Sequence, residues 1–259
     1  MAKYLKDFLL TENRRLSPLY SLLKLRPADG ALPPVSPGQF AQVEVKNSKT
    51  TFLRRPISIN YVDAAKRELW LLVRKAGPGT SALASSPEGS TINILLPLGN
   101  GFYLSSGRHL LVGGGVGVAP LLFLAKELSE LGASVSLLLG ARSQADLLEL
   151  EQFEAYGNLH LATEDGSMGV KGLVTAHPAL GERFDIVQCC GPLPMMKAVA
   201  QAAASTGSEC EVSLENLMAC GMGACLCCVE DTTDAGNVCV CTQGPVFNTK
   251  RLKWDITKK

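Results

Sequence analysis

His109-Leu-Leu-Val-Gly-Gly-Gly-Val-Gly-Val-Ala-Pro120-Leu-Leu-Phe-Leu-Ala-Lys-Glu-Leu-Ser-Glu-Leu131 decides the organisation of this chain. Residues 109–112 form a short apolar run of the kind found in fully buried strands. Glycines follow, and from 119 to 131 the apolar residues recur at helical spacing. A strand, a glycine turn and a helix open a nucleotide-binding α/β unit. There the glycines let backbone amides approach a pyrophosphate at the helix N-terminus. Pro120 suits the first helical turn, where a missing N–H costs no bond. Gly113, Gly115 and Gly117 are therefore candidate cofactor-binding residues. The turn departs from the usual dinucleotide fingerprint. It has no third Gly or Ala at the expected place, and no acidic residue ends the next strand, which runs into Gly140-Ala-Arg142-Ser143. A tight connection with no ligand is the plainer reading of such a turn taken alone.

The pattern continues downstream. Residues 134–139, 159–162 and 184–188 have strand character, and 147–156 and 192–204 have helical character; 209–214 is expected to close the sheet. Alternating strands and helices imply an α/β, doubly wound parallel sheet over residues 104–214. Cys190-Gly191-Pro192-Leu-Pro194-Met-Met196 follows one strand and opens a helix. This is the carboxyl edge of an open sheet, where ligands bind. A thiol at Cys190, beside Gly191, can face a nicotinamide ring; a buried cysteine at a strand end is the ordinary alternative.

Upstream, residues 1–103 read as all-β. Runs at 20–25, 39–46, 68–74 and 90–96 are bounded by Pro, Gly and Asp clusters, with one helical piece near 80–84. Such spacing suggests a barrel or a sandwich. Within it, Arg54-Arg55-Pro56-Ile57-Ser58-Ile59 offers Arg55 as a phosphate clamp, a rigid extended path at Pro56 and Ile57, and Ser58 as a hydroxyl for a flavin ring. Gly77-Pro78-Gly79-Thr80-Ser81 offers Gly79 and Thr80 as a second phosphate-approach loop. A solvated basic turn before a strand is the plainer reading of the arginines.

Seven of the nine cysteines lie between Cys210 and Cys241. Cys220-Gly-Met-Gly-Ala-Cys225-Leu-Cys227-Cys228 contains C-x4-C-x2-C, the plant-type [2Fe–2S] spacing, and Cys241 follows twelve residues later. Small residues between the ligands let a loop wrap an inorganic core and aim N–H groups at its sulfurs. A zinc site from Cys225, Cys228, Cys239 and Cys241 is the alternative. Cys239 competes with Cys241 for the fourth position. Cys189 and Cys210 are expected to be buried small hydrophobes. Residues 215–259 are too few and too polar to hold a core without such a staple.

Composition narrows the function. With 25 Lys+Arg against 24 Asp+Glu, the chain lacks the basic excess of a nucleic-acid binder. The basic residues of the last ten (Lys250, Arg251, Lys253, Lys258, Lys259) read as a solvated terminus. The first residues carry no apolar signal region. The longest membrane-like stretch, 110–125, holds four glycines and a proline and falls short of the about 20 apolar residues of a spanning helix. A cytoplasmic chain with no membrane partner is expected, and clustered thiols in that compartment point to metal ligation.

Together these motifs, with Pro97-Leu-Gly-Asn100-Gly-Phe102, resemble the ferredoxin–NADP reductase superfamily: a flavin barrel, then a nicotinamide domain. Glu215-Asn-Leu-Met-Ala-Cys220 through Cys241-Thr-Gln-Gly-Pro-Val-Phe247 resembles the electron-transfer subunits of class 1B dihydroorotate dehydrogenases. The resemblance covers almost the whole chain. It implies a multi-domain protein: an antiparallel FAD-binding β-barrel at 1–103, an NAD-binding α/β domain at 104–214 and a small [2Fe–2S] domain at 215–259. It selects Cys220, Cys225, Cys228 and Cys241 as ligands, leaving Cys227 and Cys239 dispensable. It also implies a partner, an FMN-containing catalytic subunit that oxidises dihydroorotate, in a heterotetramer of two copies of each. Electrons would run from FMN through the cluster to FAD and leave as hydride to NAD⁺, in pyrimidine biosynthesis. No base for dihydroorotate is apparent, and His109, His160 and His177 are expected to be structural. Three readings compete with this relay or leave it incomplete. One is the small subunit of an NAD(P)H:ferredoxin oxidoreductase or sulfide dehydrogenase. Another is a zinc-binding or redox-sensing module. The third question is NADP in place of NAD, for which Arg142 and Ser143 are candidate 2′-phosphate ligands.

Overall fold

A computed structural model describes residues 2–46 and 48–254. The first six strands are β1 (Tyr4–Arg15), β2 (Tyr20–Pro27), β3 (Phe40–Val43), β4 (Arg55–Asp63), β5 (Glu68–Arg74) and β6 (Thr91–Leu98). They close an antiparallel barrel in the order β1-β2-β5-β4-β3-β6. Helix α1 (Pro78–Ala84) joins the last two. Strand alternation fills the barrel with Phe8, Leu10, Leu23, Ile57, Ile59, Leu71 and Ile94, all buried. Barrel closure settles the barrel-or-sandwich alternative. Strand β1 is the longest, yet its sequence, Tyr-Leu-Lys-Asp-Phe-Leu-Leu-Thr-Glu-Asn-Arg-Arg, lacks the apolar–polar alternation of a half-buried strand and ends in four polar residues. Pairing to β2 on one side and β6 on the other makes it a strand.

The second sheet begins with β7 (Arg108–Gly114), followed by a 3₁₀ turn at Gly115–Val118 and α2 (Ala119–Glu130). It continues through β8 (Ser134–Ala141), α3 (Leu150–Glu154), β9 (Asn158–Thr163), β10 (Val170–Lys171), β11 (Ile186–Cys190), α4 (Leu193–Thr206) and β12 (Glu209–Ser213). The remaining elements are β13 (Val229–Thr232), β14 (Gly236–Cys239), α5 (Val240–Gln243) and β15 (Val246–Asn248). Sheet order is β10-β9-β8-β7-β11-β12-β15, parallel except for the last strand.

Four local expectations change. Residues 209–214 do not close the sheet: β15, from the cysteine-rich segment, pairs antiparallel with β12 and becomes the edge. The strand expected at 184–188 lies two residues later, because the Phe184 N–H is held by Ser208 Oγ and Asp185 pairs with Arg108 before the ladder starts. The helix expected over 147–156 shrinks to α3. Glu149 stands in the left-handed region at φ 56° and breaks the turn, so helix forms only beyond it. The basic tail is not simply solvated. Lys250 pairs with Glu209, Arg251 with Asp234 at 2.7 Å and Lys253 with Asp231 at 2.9 Å; Lys258 and Lys259 lie outside the described residues.

The barrel and the α/β sheet are joined through β4. Phe123 of α2 packs into the barrel's core. Asn60 of β4 donates from Nδ2 to the Ala119 carbonyl (3.1 Å) and to Glu149 Oε2 (3.0 Å), and the Tyr61 and Tyr156 hydroxyls meet at 2.7 Å. Glu149 is 8 % exposed, and its Oε1 has no partner. Burial pushes its carboxyl up to about 7 from an ordinary 4.5, against the opposing pull of Asn60 and Arg14. The folded state therefore favours the neutral acid. That contribution is complete below about pH 4.5 and is lost as pH rises through about 7. Replacing Glu149 by Gln removes the ionisation. Its stability relative to wild type should rise between pH 5 and pH 8, by up to about 3 kcal/mol. Urea unfolding of both proteins at the two pH values checks this; a pH-independent difference would contradict it.

Candidate redox site

Strand order reverses between β7 and β11, the place where open α/β sheets bind ligands. The turns after these two strands touch. A Cβ on Gly117 would lie 2.3 Å from the Cys190 carbonyl oxygen, so only glycine lets them meet. Between them and the barrel opens a cleft of about 640 Å³, lined by Gly114–Gly117, Arg142, Cys190, Gly191 and Pro192. That volume suits a small-molecule ligand. The barrel contributes Tyr20 and Arg74, cross-strand partners on β2 and β5. The sequence reading missed both, because only the docking of barrel on sheet brings them to the cleft. Cys190 lines it as well. Burial first, then the Glu215 carboxylate, pushes its thiol up to about 12. It is a neutral, polarisable wall and not a nucleophile. Gly113 belongs to β7 itself and is buried.

On the barrel, side chains of β3 and β4 alternate between core and outer face. Ile57 packs in the barrel core with 9% of its surface exposed, so it offers a cofactor chiefly its backbone. Pro56 and Ser58 are half-buried across from Gln42 and Phe40. Among the described residues no hydrogen bond or ion pair engages the Arg55 guanidinium. Its Cδ would be 3.1 Å from a Cβ on Gly79, so the two expected phosphate groups of residues come together. Thr80 is committed locally: its Oγ1 accepts from the N–H groups of Ala76 (2.9 Å) and Gly77 (3.2 Å). Arg54 is structural, donating to the Asn93 carbonyl at 2.9 Å.

The cysteine loop packs against this same outer face. Cys228 and Cys241 are buried in a cluster shared with Phe40 and Leu98 of the barrel, whereas Cys225 and Cys227 are exposed. Gly221, Gly223 and Leu226 take positive φ, which turns backbone N–H groups inward. Met222 N–H donates to Cys220 Sγ at 3.4 Å, Gly223 N–H to Cys241 Sγ at 3.1 Å and Cys241 N–H to Cys228 Sγ at 3.4 Å. The N–H groups of Met222 and Cys225 hold the Cys220 thiol down at about 6, while burial, with Cys228 beside it, pushes Cys241 up to about 12. Cys239 also neighbours Cys228. Backbone donors around several cysteine sulfurs suit an anionic iron–sulfur core. Among the described residues no three or more His, Cys, Asp or Glu side chains are gathered closely enough to hold a metal ion. Cys189 and Cys210 are buried as expected. His109 is buried between Gln188 and Ser105, and the His160 ring lies tilted against His177 with centroids 5.0 Å apart.

A closed barrel, a nicotinamide-type cleft and a cysteine loop on the barrel face define an FAD- and NAD-linked reductase of the ferredoxin-reductase fold with an iron–sulfur module. Residues 111–201 match the oxidoreductase NAD-binding domain, and residues 215–253 match the iron–sulfur cluster binding domain of dihydroorotate dehydrogenase B. The dihydroorotate dehydrogenase B (NAD(+)) electron transfer subunit of Shouchella clausii is 42% identical over 221 residues, covering 82% of this chain and 84% of that protein. The Bacillus caldolyticus counterpart is 41% identical over 218 residues, with 82% and 84% covered. The chain belongs to this family of electron transfer subunits. Among solved structures, NADH-dependent reduced ferredoxin-NADP oxidoreductase superposes with a TM-score of 0.83 at 29% identity, covering 97% of this chain and 91% of that one. The FAD/NAD binding domain of a Vibrio cholerae nitric oxide dioxygenase shares the fold, with a TM-score of 0.68 at 22% identity over 80% and 98%.

Two tests follow. Cys228→Ser and Cys241→Ser should each lose bound iron, whereas Cys227→Ser and Cys239→Ser should keep it, as measured by iron and sulfide content after anaerobic purification. Gly117→Ala forces a methyl into the Cys190 backbone. It should cost about 1–3 kcal/mol and raise the KM for NADH; unchanged melting and KM would refute the close approach.

Proposed function

We propose that this chain relays electrons from a catalytic partner subunit to NAD⁺ as the electron-transfer subunit of a dihydroorotate dehydrogenase of the NAD-linked type. The observation that carries the reading is the seating of the cysteine loop on the barrel face that bears Pro56 and Ser58, with the nicotinamide cleft next to it. FAD, a [2Fe–2S] cluster and NAD are its cofactors. When bound, FAD exchanges electrons singly with the cluster and in pairs, as hydride, with NAD.

The remaining steps concern this chain's residues. Arg55, beside Gly79, is placed to pair with flavin phosphate, and Ser58 presents a hydroxyl on the face where the flavin ring would lie. Cys220, Cys225, Cys228 and Cys241 are the proposed cluster ligands, with N–H groups of Met222 and Gly223 turned toward sulfur. Gly115 and Gly117 allow backbone approach to the dinucleotide, Gly113 gives Val118 and Leu121 room to pack beneath the turn, and Cys190 with Gly191 forms the wall of the cleft. Asp146 and Glu164 border the cleft with Arg142, and Ser143 Oγ donates to Asp146 at 3.0 Å. Two carboxylates there would repel a 2′-phosphate, which supports NAD over NADP. The working division is 1–103 for FAD, 104–214 for NAD and 215–259 for the cluster.

The partner is proposed to be an FMN-containing subunit that oxidises dihydroorotate, in an assembly of two copies of each, in the cytoplasm, serving pyrimidine biosynthesis. Among the described residues no helix is long and apolar enough to cross a membrane. Exposed Leu217 (84 %), Met222 and Leu226 of the cysteine loop give a partner an apolar face to cover. A second reading, a small subunit of an NADH-dependent ferredoxin–NADP oxidoreductase, is supported by the whole-length superposition. Co-expression with neighbouring genes separates them: an FMN protein that turns over dihydroorotate should co-purify, and its absence would favour the second reading. The isolated chain should reduce ferricyanide with NADH and form no orotate; orotate production by the chain alone would overturn the subunit assignment.

A further inference from the structure

The amide of Gln42 is the one buried side chain among the described residues whose two polar atoms both lack a hydrogen-bond partner. The residue is 0 % exposed. Proteins rarely leave a primary amide wholly unpaired in their interior, because each lost bond carries its full desolvation cost. An unexplained group of this kind points to something it is shaped to meet.

Its position says what that is. Gln42 lies on β3, directly across from Pro56 of β4 and Leu95 of β6. Ala41 and Val43 turn into the barrel core, while Phe40 packs with Leu98, Cys228 and Cys241 on the outer face. Gln42 therefore belongs to the outer face, between the strand that carries Pro56 and Ser58 and the cysteine loop. Its contact with the loop is close. A Cβ on Gly221 would lie 2.8 Å from Gln42 Cγ and 3.0 Å from Nε2. Gly221 directly follows Cys220. Arg54 fixes the backbone beneath, donating to the Gln42 carbonyl at 3.4 Å and the Asn93 carbonyl at 2.9 Å.

We propose that Gln42 is a positioning residue for electron transfer, whose side-chain NH₂ donates a hydrogen bond to sulfur at the Cys220 end of the iron–sulfur site and raises the reduction potential there. This rests on the reading of the cysteine loop as a cluster site. Thiolate and sulfide sulfurs only accept, so chemistry requires the amide to turn its nitrogen toward them. A donor stabilises the reduced, more negative state more than the oxidised one, which moves the potential upward. No other side chain of β3 on this face can donate, since Phe40 is apolar.

The test uses the full chain purified anaerobically with its cluster. Gln42→Met and Gln42→Leu keep bulk and remove the donor. Each should retain wild-type iron content and shift the cluster midpoint potential, followed by EPR-monitored titration, to more negative values. An unchanged midpoint in a loaded variant overturns the proposal. Should neither variant hold iron, the wild-type protein with ¹⁵N at glutamine amides decides: a side-chain nitrogen coupling in pulsed EPR of the reduced cluster supports the contact, and its absence overturns it. A wild-type chain that binds no iron would instead sink the cluster reading itself, a different failure.

Discussion

One asparagine ties the three parts of this molecule together. Asn100, just past the last barrel strand, donates from Nδ2 to the carbonyls of Gln243 (3.1 Å) and Val246 (2.9 Å). Its Oδ1 accepts from the Val246 N–H (3.0 Å), and its own N–H reaches the Gly244 carbonyl. These bonds fasten the segment after Cys241 to the barrel. They also align Val246–Asn248 with Glu211–Ser213 in the second sheet. The cysteine segment, which has too little apolar surface for a core of its own, thereby borrows one. Phe40 and Leu98 of the barrel, Val212 of the sheet and Cys228, Val240 and Phe247 of the segment bury one another.

That arrangement brings the redox elements together. Two faces of the barrel are used. One, through Asn60 and Tyr61, seats the helix that follows the glycine turn and so sets the nicotinamide cleft against Tyr20 and Arg74. The other, the outer surface of β3 and β4, receives the cysteine loop. The strand bearing Arg55 to Ser58 contributes to both. Cys228 and Cys241 are buried, while Cys225 and the apolar tip of the loop, Leu217, Met222 and Leu226, are exposed.

Much of this was legible in the residues. The glycine turn and the helix after it, the Cys190-Gly-Pro turn and the C-x4-C-x2-C spacing are local patterns whose chemistry depends on neighbours in sequence. Elements set by distant partners were not legible. Strand β1 needs two barrel neighbours to become a strand. Helix α3 loses its first turn because Glu149 is drawn toward Asn60, 89 positions away. Ile57 looked like part of a cofactor motif, but strand alternation turns it into the barrel. The sheet edge belongs to a segment that, in sequence, reads only as the end of a cysteine motif.

The sequence by itself determined the parts: a β-rich first two-fifths, a nucleotide-binding α/β pattern and a cysteine-rich loop with C-x4-C-x2-C spacing. These rest on periodicity, turn chemistry and ligand spacing, all short-range properties. Only the tertiary structure decided how the parts meet. The Asn100 bonds, the buried Gln42 amide facing Gly221, and Tyr20 and Arg74 at the cleft join residues far apart in the chain. Their contacts arise from packing one folded surface on another, which no local pattern encodes.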